Sequence, residues 1–165
     1  MISFEHWLVI VSAGITLIGS SMYIRDTISG KTKPNRVTWS MWALAPLLGT
    51  VIALSAHADI WATSRTFLAG FFPLIIFIAS FFNPRGYWKL TFFDFACGFF
   101  SAIAVVLWLT ISSSGTAILL LVLADAFACI PTIRKAWSHP ETETGTVWLI
   151  GILAVLLVLP SIPVW

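Results

Sequence analysis

Ile118-Leu119-Leu120-Leu121-Val122-Leu123-Ala124-Asp125-Ala126-Phe127-Ala128-Cys129-Ile130-Pro131-Thr132-Ile133-Arg134-Lys135 is an apolar run with one carboxylate in its middle and two bases at its end. A helix over 116–135 would be about 30 Å long, enough to cross the hydrocarbon core of a bilayer. The basic pair then belongs at a membrane face, on the side where lysine and arginine collect. The rest of the chain repeats this design.

Working outward, apolar windows of similar length fall at 6–24, 37–56, 66–82, 90–111 and 146–164, which with 116–135 makes six crossings. Eight of the nine Lys and Arg residues lie in every second gap: Arg25, Lys31, Lys33 and Arg36 in the first, Arg85 and Lys89 in the third, Arg134 and Lys135 in the fifth. Only Arg65 lies elsewhere. Basic loops stay in the cytoplasm, so loops 25–36, 83–89 and 136–145 are expected inside, and loops 57–65 and 112–115 outside with both termini. The tryptophans agree with an interfacial belt: Trp7, Trp61 and Trp165 fall at the outer face, and Trp39, Trp88 and Trp137 at the inner face. Gly30 and Pro34, the turn Asn83-Pro84-Arg85-Gly86 and the link Ser112-Ser113-Ser114-Gly115 punctuate the runs.

Composition excludes a soluble domain. Apolar residues make up 59% of the chain and charged residues 10%, with a mean hydropathy of +0.96. The fold class expected is therefore all-α transmembrane, one integral domain over 1–165, with the lipid bilayer as its first partner. A net charge of +2 spread over separate loops gives no nucleic-acid surface. Met1 to His6 carries no basic stretch, so the first run reads as a membrane helix and not as a removed signal peptide. Cys97 and Cys129 lie inside apolar runs and read as buried thiols. No nucleophile elbow, zinc-binding His pair or phosphate-cradling glycine loop occurs, so no enzyme activity, cofactor or metal is expected.

An internal register links the two ends of the chain. At an offset of 109 residues, the distance from Trp39 to Trp148, Ile24-Arg25 overlies Ile133-Arg134 and Ser29 overlies Ser138. The first and second helices then overlie the fifth and sixth with the same orientation, as in a parallel repeat. The segment Ile130-Pro131-Thr132-Ile133-Arg134-Lys135 followed by Glu143-Thr144-Gly145-Thr146-Val147-Trp148 resembles the repeat of PQ-loop and SWEET-type transporters. Lys33-Pro34-Asn35-Arg36-Val37-Thr38-Trp39 and Trp42-Ala43-Leu44-Ala45-Pro46-Leu47 are also similar to stretches of small bacterial membrane proteins. The resemblance implies a three-helix bundle over about 1–82, a linker helix over 90–111 and an incomplete second bundle over about 116–165. It also implies a bacterial inner-membrane location, an external N-terminus and a solute path between the bundles. Thr132 stands where the family has Gln, Met22-Tyr23 where it has Pro-Gln, and no seventh crossing follows. Either that helix is absent, or a second copy in a homo-oligomer supplies it, or the count is wrong.

Asp125 is the strongest candidate for chemistry. A charge at mid-span costs about 2.5–3.5 kcal/mol on insertion scales, so the carboxyl must face the interior or carry a proton. It serves either a solute or proton, or packing through a hydrogen bond. In the 109-residue register Thr16 lies at the same depth, and Ser20, Trp39 and Trp148 join them as candidate substrate-binding residues. Pro46 and Pro131 are candidate hinges, because proline removes a helix hydrogen bond. Asp94 is a secondary candidate that also suits a helix start, paired with Arg85 or Lys89. Together these suggest a small-solute transporter, proton-linked through Asp125. The alternative is a membrane scaffold or accessory subunit that moves nothing.

The charge pattern makes one direct prediction. A cysteine introduced at Ser138 in a Cys97→Ser, Cys129→Ser background should react with an impermeant thiol reagent only after the membrane is opened. Labelling of intact cells from outside would contradict the orientation.

Overall fold

Polar residues at the ends of the apolar runs start the helices. The computed structural model describes residues 3–85, 88–111 and 113–161, apart from the side chains of Ser114 and Ser161. Helix α1, Phe4–Ile28, begins behind Ser3, whose hydroxyl accepts the His6 amide while the His6 ring accepts the Ser3 amide. Helix α2, Arg36–Ser55, begins behind Asn35, which accepts the amides of Val37 and Thr38. Asp59 accepts those of Trp61 and Ala62 at the start of α3, Ile60–Ala79. Thr91 and Asp94 cap α4, Phe92–Thr110, reciprocally. Each cap satisfies amides that the helix leaves open, an effect of about 1 kcal/mol. Helix α5, Ser114–Ser138, and α6, Gly145–Val158, complete the order, with 3-10 turns at Ser80–Phe82, Pro140–Thr142 and Leu159–Ser161.

The described residues form an all-α protein, and five of its helices are long and apolar enough to cross a membrane. The sixth differs from expectation. Helix α6 has 14 residues, about 21 Å, and continues as a 3-10 turn. Helix α3 starts six residues earlier than the apolar window, because Asp59 caps it and carries the chain through Arg65 in helical form. The outer loop expected at 57–65 is thus much shorter, and Arg65 is a helix residue. Pro46, Pro73 and Pro131 sit inside α2, α3 and α5 without ending them. Trp165, Gly86 and Ser112, assigned above to a belt or a turn, lie outside the described residues.

Helix α1 packs on α6 and α3, α2 on α3 and α5, and α4 on α5 and α2. Hydroxyls join helices across these contacts: Ser12 Oγ donates to the Ala154 carbonyl and Ser101 Oγ to that of Ala124, both at 2.7 Å, and Thr132 Oγ1 donates to Thr38 Oγ1 at 2.9 Å. Small and hydroxylated residues suit a bilayer, where close packing replaces the hydrophobic drive. The closest approach of a glycine to a neighbouring helix backbone, among the described residues, is at Gly70 on α3. A Cβ there would lie 2.8 Å from Leu47 Cγ and 3.0 Å from both the Ala43 oxygen and the Leu47 nitrogen. Gly30 serves a different need: with φ +79 it turns the chain after α1, and its amide bonds the Thr27 carbonyl at 3.1 Å.

Backbone cannot retreat as a side chain can, so Gly70→Val should destabilise the protein by about 1–3 kcal/mol. Thermal unfolding in detergent measures this, and Gly14→Val, where a Cβ meets nothing within 4 Å, is the control.

Candidate functional site

Helical spacing puts Trp39, Trp42, Ala43 and Pro46 on one face of α2. The two indoles open a cluster of four rings. Trp39 lies 4.9 Å from Tyr23 and 6.1 Å from Trp148, centroid to centroid, and Trp42 meets Trp148 at 5.9 Å with an interplanar angle of 65°. Tyr23 and Trp39 are buried, and tilted contacts of this kind suit the quadrupoles of the rings. Helices α1, α2 and α6 meet through this cluster.

At the basic end the cluster rests on Glu143. Its Oε2 accepts from the Tyr23 hydroxyl at 2.9 Å and from Trp148 Nε1 at 3.2 Å, while its Oε1 lies 2.5 Å from Lys135 Nζ. The side chains of Lys135 and Glu143 are 1% and 4% exposed, so this is a buried ion pair. Lys135 donates also to the Lys33 carbonyl, across to the first basic loop. Beside it, buried Asp26 accepts from Arg25 Nη2 at 2.9 Å, Lys31 Nζ at 3.1 Å and Thr144 Oγ1 at 2.9 Å. Thr32 and Thr144 share a hydrogen bond, and the Lys33 amide donates to the Thr142 carbonyl at 3.0 Å. Asn83 ties in the third basic loop by donating to the Thr32 carbonyl at 2.8 Å. Hydrogen bonds thus tie the three basic loops into one polar interlock around the buried side chains of Asp26, Lys135 and Glu143.

On the other side of the rings lies a cavity of about 610 Å³ walled by α2 to α6. Its lining is mostly apolar, including Met41, Pro46, Pro73 and Trp108, with Trp42 toward the ring cluster. Two ionisable side chains interrupt it, Asp125 from α5 and Arg65 from α3. Asp125 keeps accessible surface, and Trp42 reaches it with a buried indole N–H that is not aligned for a hydrogen bond with any partner. Small residues make the space, since Ala124 and Ala128 flank Asp125 on the same helix face.

The structure separates residues that the sequence grouped. Asp125 and Pro46 line the cavity, while Trp39 and Trp148 lie next to it in the ring cluster. Thr16 and Ser20 do not line it: α1 packs on α6 and α3, and the Thr16 hydroxyl is spent on the Ser12 carbonyl of its own helix at 2.8 Å. Pro131 is buried near the basic end, beside a small recess that includes Asp94 and Arg134. Asp94 caps α4 and accepts from Asn35 Nδ2 at 2.9 Å, so both its oxygens are engaged, and neither bonds Arg85 or Lys89 among the described residues. The sequence reading passed over Lys135, Glu143, Asp26 and Arg65. Only Lys135 carried a usable signal, since it continues the α5 face of Ala124, Ala128 and Pro131. No group of three or more His, Cys, Asp or Glu able to hold a metal occurs among the described residues. No family model, curated protein or solved structure matches the chain.

Removing one partner of a buried ion pair leaves the other charge uncompensated, at a cost of about 3–5 kcal/mol. Lys135→Met should therefore lower thermal stability strongly, and adding Glu143→Leu should recover much of the loss. A double variant no better than Lys135→Met would show that the pair is not the unit of stability.

Proposed function

We propose that the protein is a small-solute transporter of the inner membrane and that the cavity at Asp125 is its mid-span site. One observation carries this reading: a cavity of about 610 Å³, with an ionisable carboxyl at mid-span, lies against an aromatic cluster and a polar interlock. Small-solute sites commonly have about 300–1,000 Å³ and apolar walls with few polar groups. An intramembrane carboxyl facing such a space is a functional group by default. The lining reaches from Trp108 and Val158, near the outer helix ends, down to Trp42. This fits an outward-facing state whose cytoplasmic side is shut by the rings and the interlocked loops. Pro46 and Pro73 in the wall mark where α2 and α3 can bend when that side opens.

The packing of helices supports the likeness to PQ-loop and SWEET-type repeats. Exchanging α1 with α5 and α2 with α6 turns the α1–α6 contact into the α5–α2 contact, and both pairs are packed. Polar bonds join both pairs of segments, though at different positions of the 109-residue register: Asp26 at the end of α1 accepts from Thr144 before α6, and Thr132 near the end of α5 donates to Thr38 early in α2 at 2.9 Å. A parallel repeat with basic loops inside and the N-terminus outside accounts for these pairs.

The test is proton movement in proteoliposomes, followed with an entrapped pH dye while sugars, amino acids and organic acids are offered in turn. Wild type should give solute-dependent flux, and Asp125→Asn should keep the fold and abolish its pH dependence, with Asp94→Asn far milder. If Asp125→Asn and Asp125→Leu both leave every flux intact, the carboxyl is packing and the scaffold reading replaces this one.

A further inference from the structure

Arg65 is the one base outside the basic loops, and it lies in the cavity wall. It stands five residues into α3, about 7.5 Å from the helix start, where a long cationic side chain ordinarily extends to headgroup water. Arg65 is half-buried in that wall, and its Nε is buried without a hydrogen-bond partner. None of the ion pairs among the described residues includes it. A guanidinium held in an apolar wall with an open donor suits an anion brought from outside. Its planar fork matches a carboxylate best.

The rest of the wall narrows the ligand. Asp125 stands eleven residues into α5, about 16.5 Å from that helix start, against about 7.5 Å for Arg65 in α3. The wall also carries Trp108, Leu121, Gly49 and Pro46, which offer apolar and aromatic surface and no second cation. An anionic group is repelled by an ionised Asp125, so it sits at the Arg65 end with the body pointing inward. Resting on the cavity as the solute site, we infer that Arg65 is the anion-recognition residue and that the solute is a small amphipathic organic acid. Its carboxylate pairs with Arg65, and its apolar or aromatic body lies against Trp108 and Trp42.

Binding to the purified protein, read by tryptophan fluorescence, tests this with phenylacetate, L-phenylalanine and phenethylamine. Both acids should bind and the amine alone should not. Arg65→Gln should weaken both acids about tenfold or more, the usual loss for a hydrogen-bonded charged contact, and Arg65→Lys should recover part of it. The melting temperatures of the two variants check that the fold is kept, and Arg65→Lys alone carries the test if Arg65→Gln does not fold. Phenethylamine binding as tightly as the acids, no binding of either acid, or acid binding indifferent to both substitutions would each overturn the inference. Arg65-dependent binding without flux would remove the transport reading and leave this site standing. Flux of another solute class, unchanged by Arg65→Gln, would do the reverse.

Discussion

A lysine ammonium buried at the end of a membrane helix has to be compensated, and the basic end of this protein is organised around that constraint. Lys135 faces the bundle because it shares a helix face with Ala124, Ala128 and Pro131, and it is only 2% exposed there. Glu143 compensates the charge from the next loop, and the Tyr23 hydroxyl and the Trp148 indole hold the carboxylate in turn. One ion pair therefore fixes the positions of α1, α5 and α6 together. Asp26 repeats the arrangement with the opposite sign, a buried carboxylate collecting donors from its own helix end and from Thr144. Both centres depend on partners from distant parts of the chain, so the loops are held as firmly as the helices.

The two ends of the molecule differ in consequence. At the basic end, rings and ion pairs fill the space between helices. At the other end α2 and α3 join through a short link at 56–59, His6 stacks on Trp61 at 4.4 Å, and the cavity lies between the helix walls. Conformational change that opened the basic end would have to break the buried Lys135–Glu143 pair and separate four aromatic rings. Pro46 and Pro73 lie in the cavity wall, away from that packed end.

Much of the fold was legible because the bilayer imposes a simple code. Apolar length placed all six helices, whereas the caps Asn35, Asp59 and Thr91 that start three of them are visible only in the structure. The extent of α3 was misread because Arg65 looked like a loop charge, and a single charge does not end a helix that Asp59 has started. Asp125 was legible from depth alone. Thr16 was not excluded by its depth, because lying at the same level says nothing about which neighbour a helix face meets, and α1 turns toward α3 and α6. The interlock was hidden for a related reason: Lys135 and Glu143 read as ordinary loop charges until tertiary packing closes over them.

Amide hydrogen exchange on the protein in lipid nanodiscs tests the interlock most directly, because exchange reports the opening of each loop's backbone bonds. The amides of Lys31, Thr32 and Lys33, which donate to the carbonyls of buried Asp26 and Thr142 at 2.9–3.0 Å, should exchange as slowly as mid-helix amides. Those of the link at 56–59 at the other end should exchange much faster. Exchange at Thr32 and Lys33 as fast as in that link would contradict the account, because loops that open freely cannot be the closed end of the molecule.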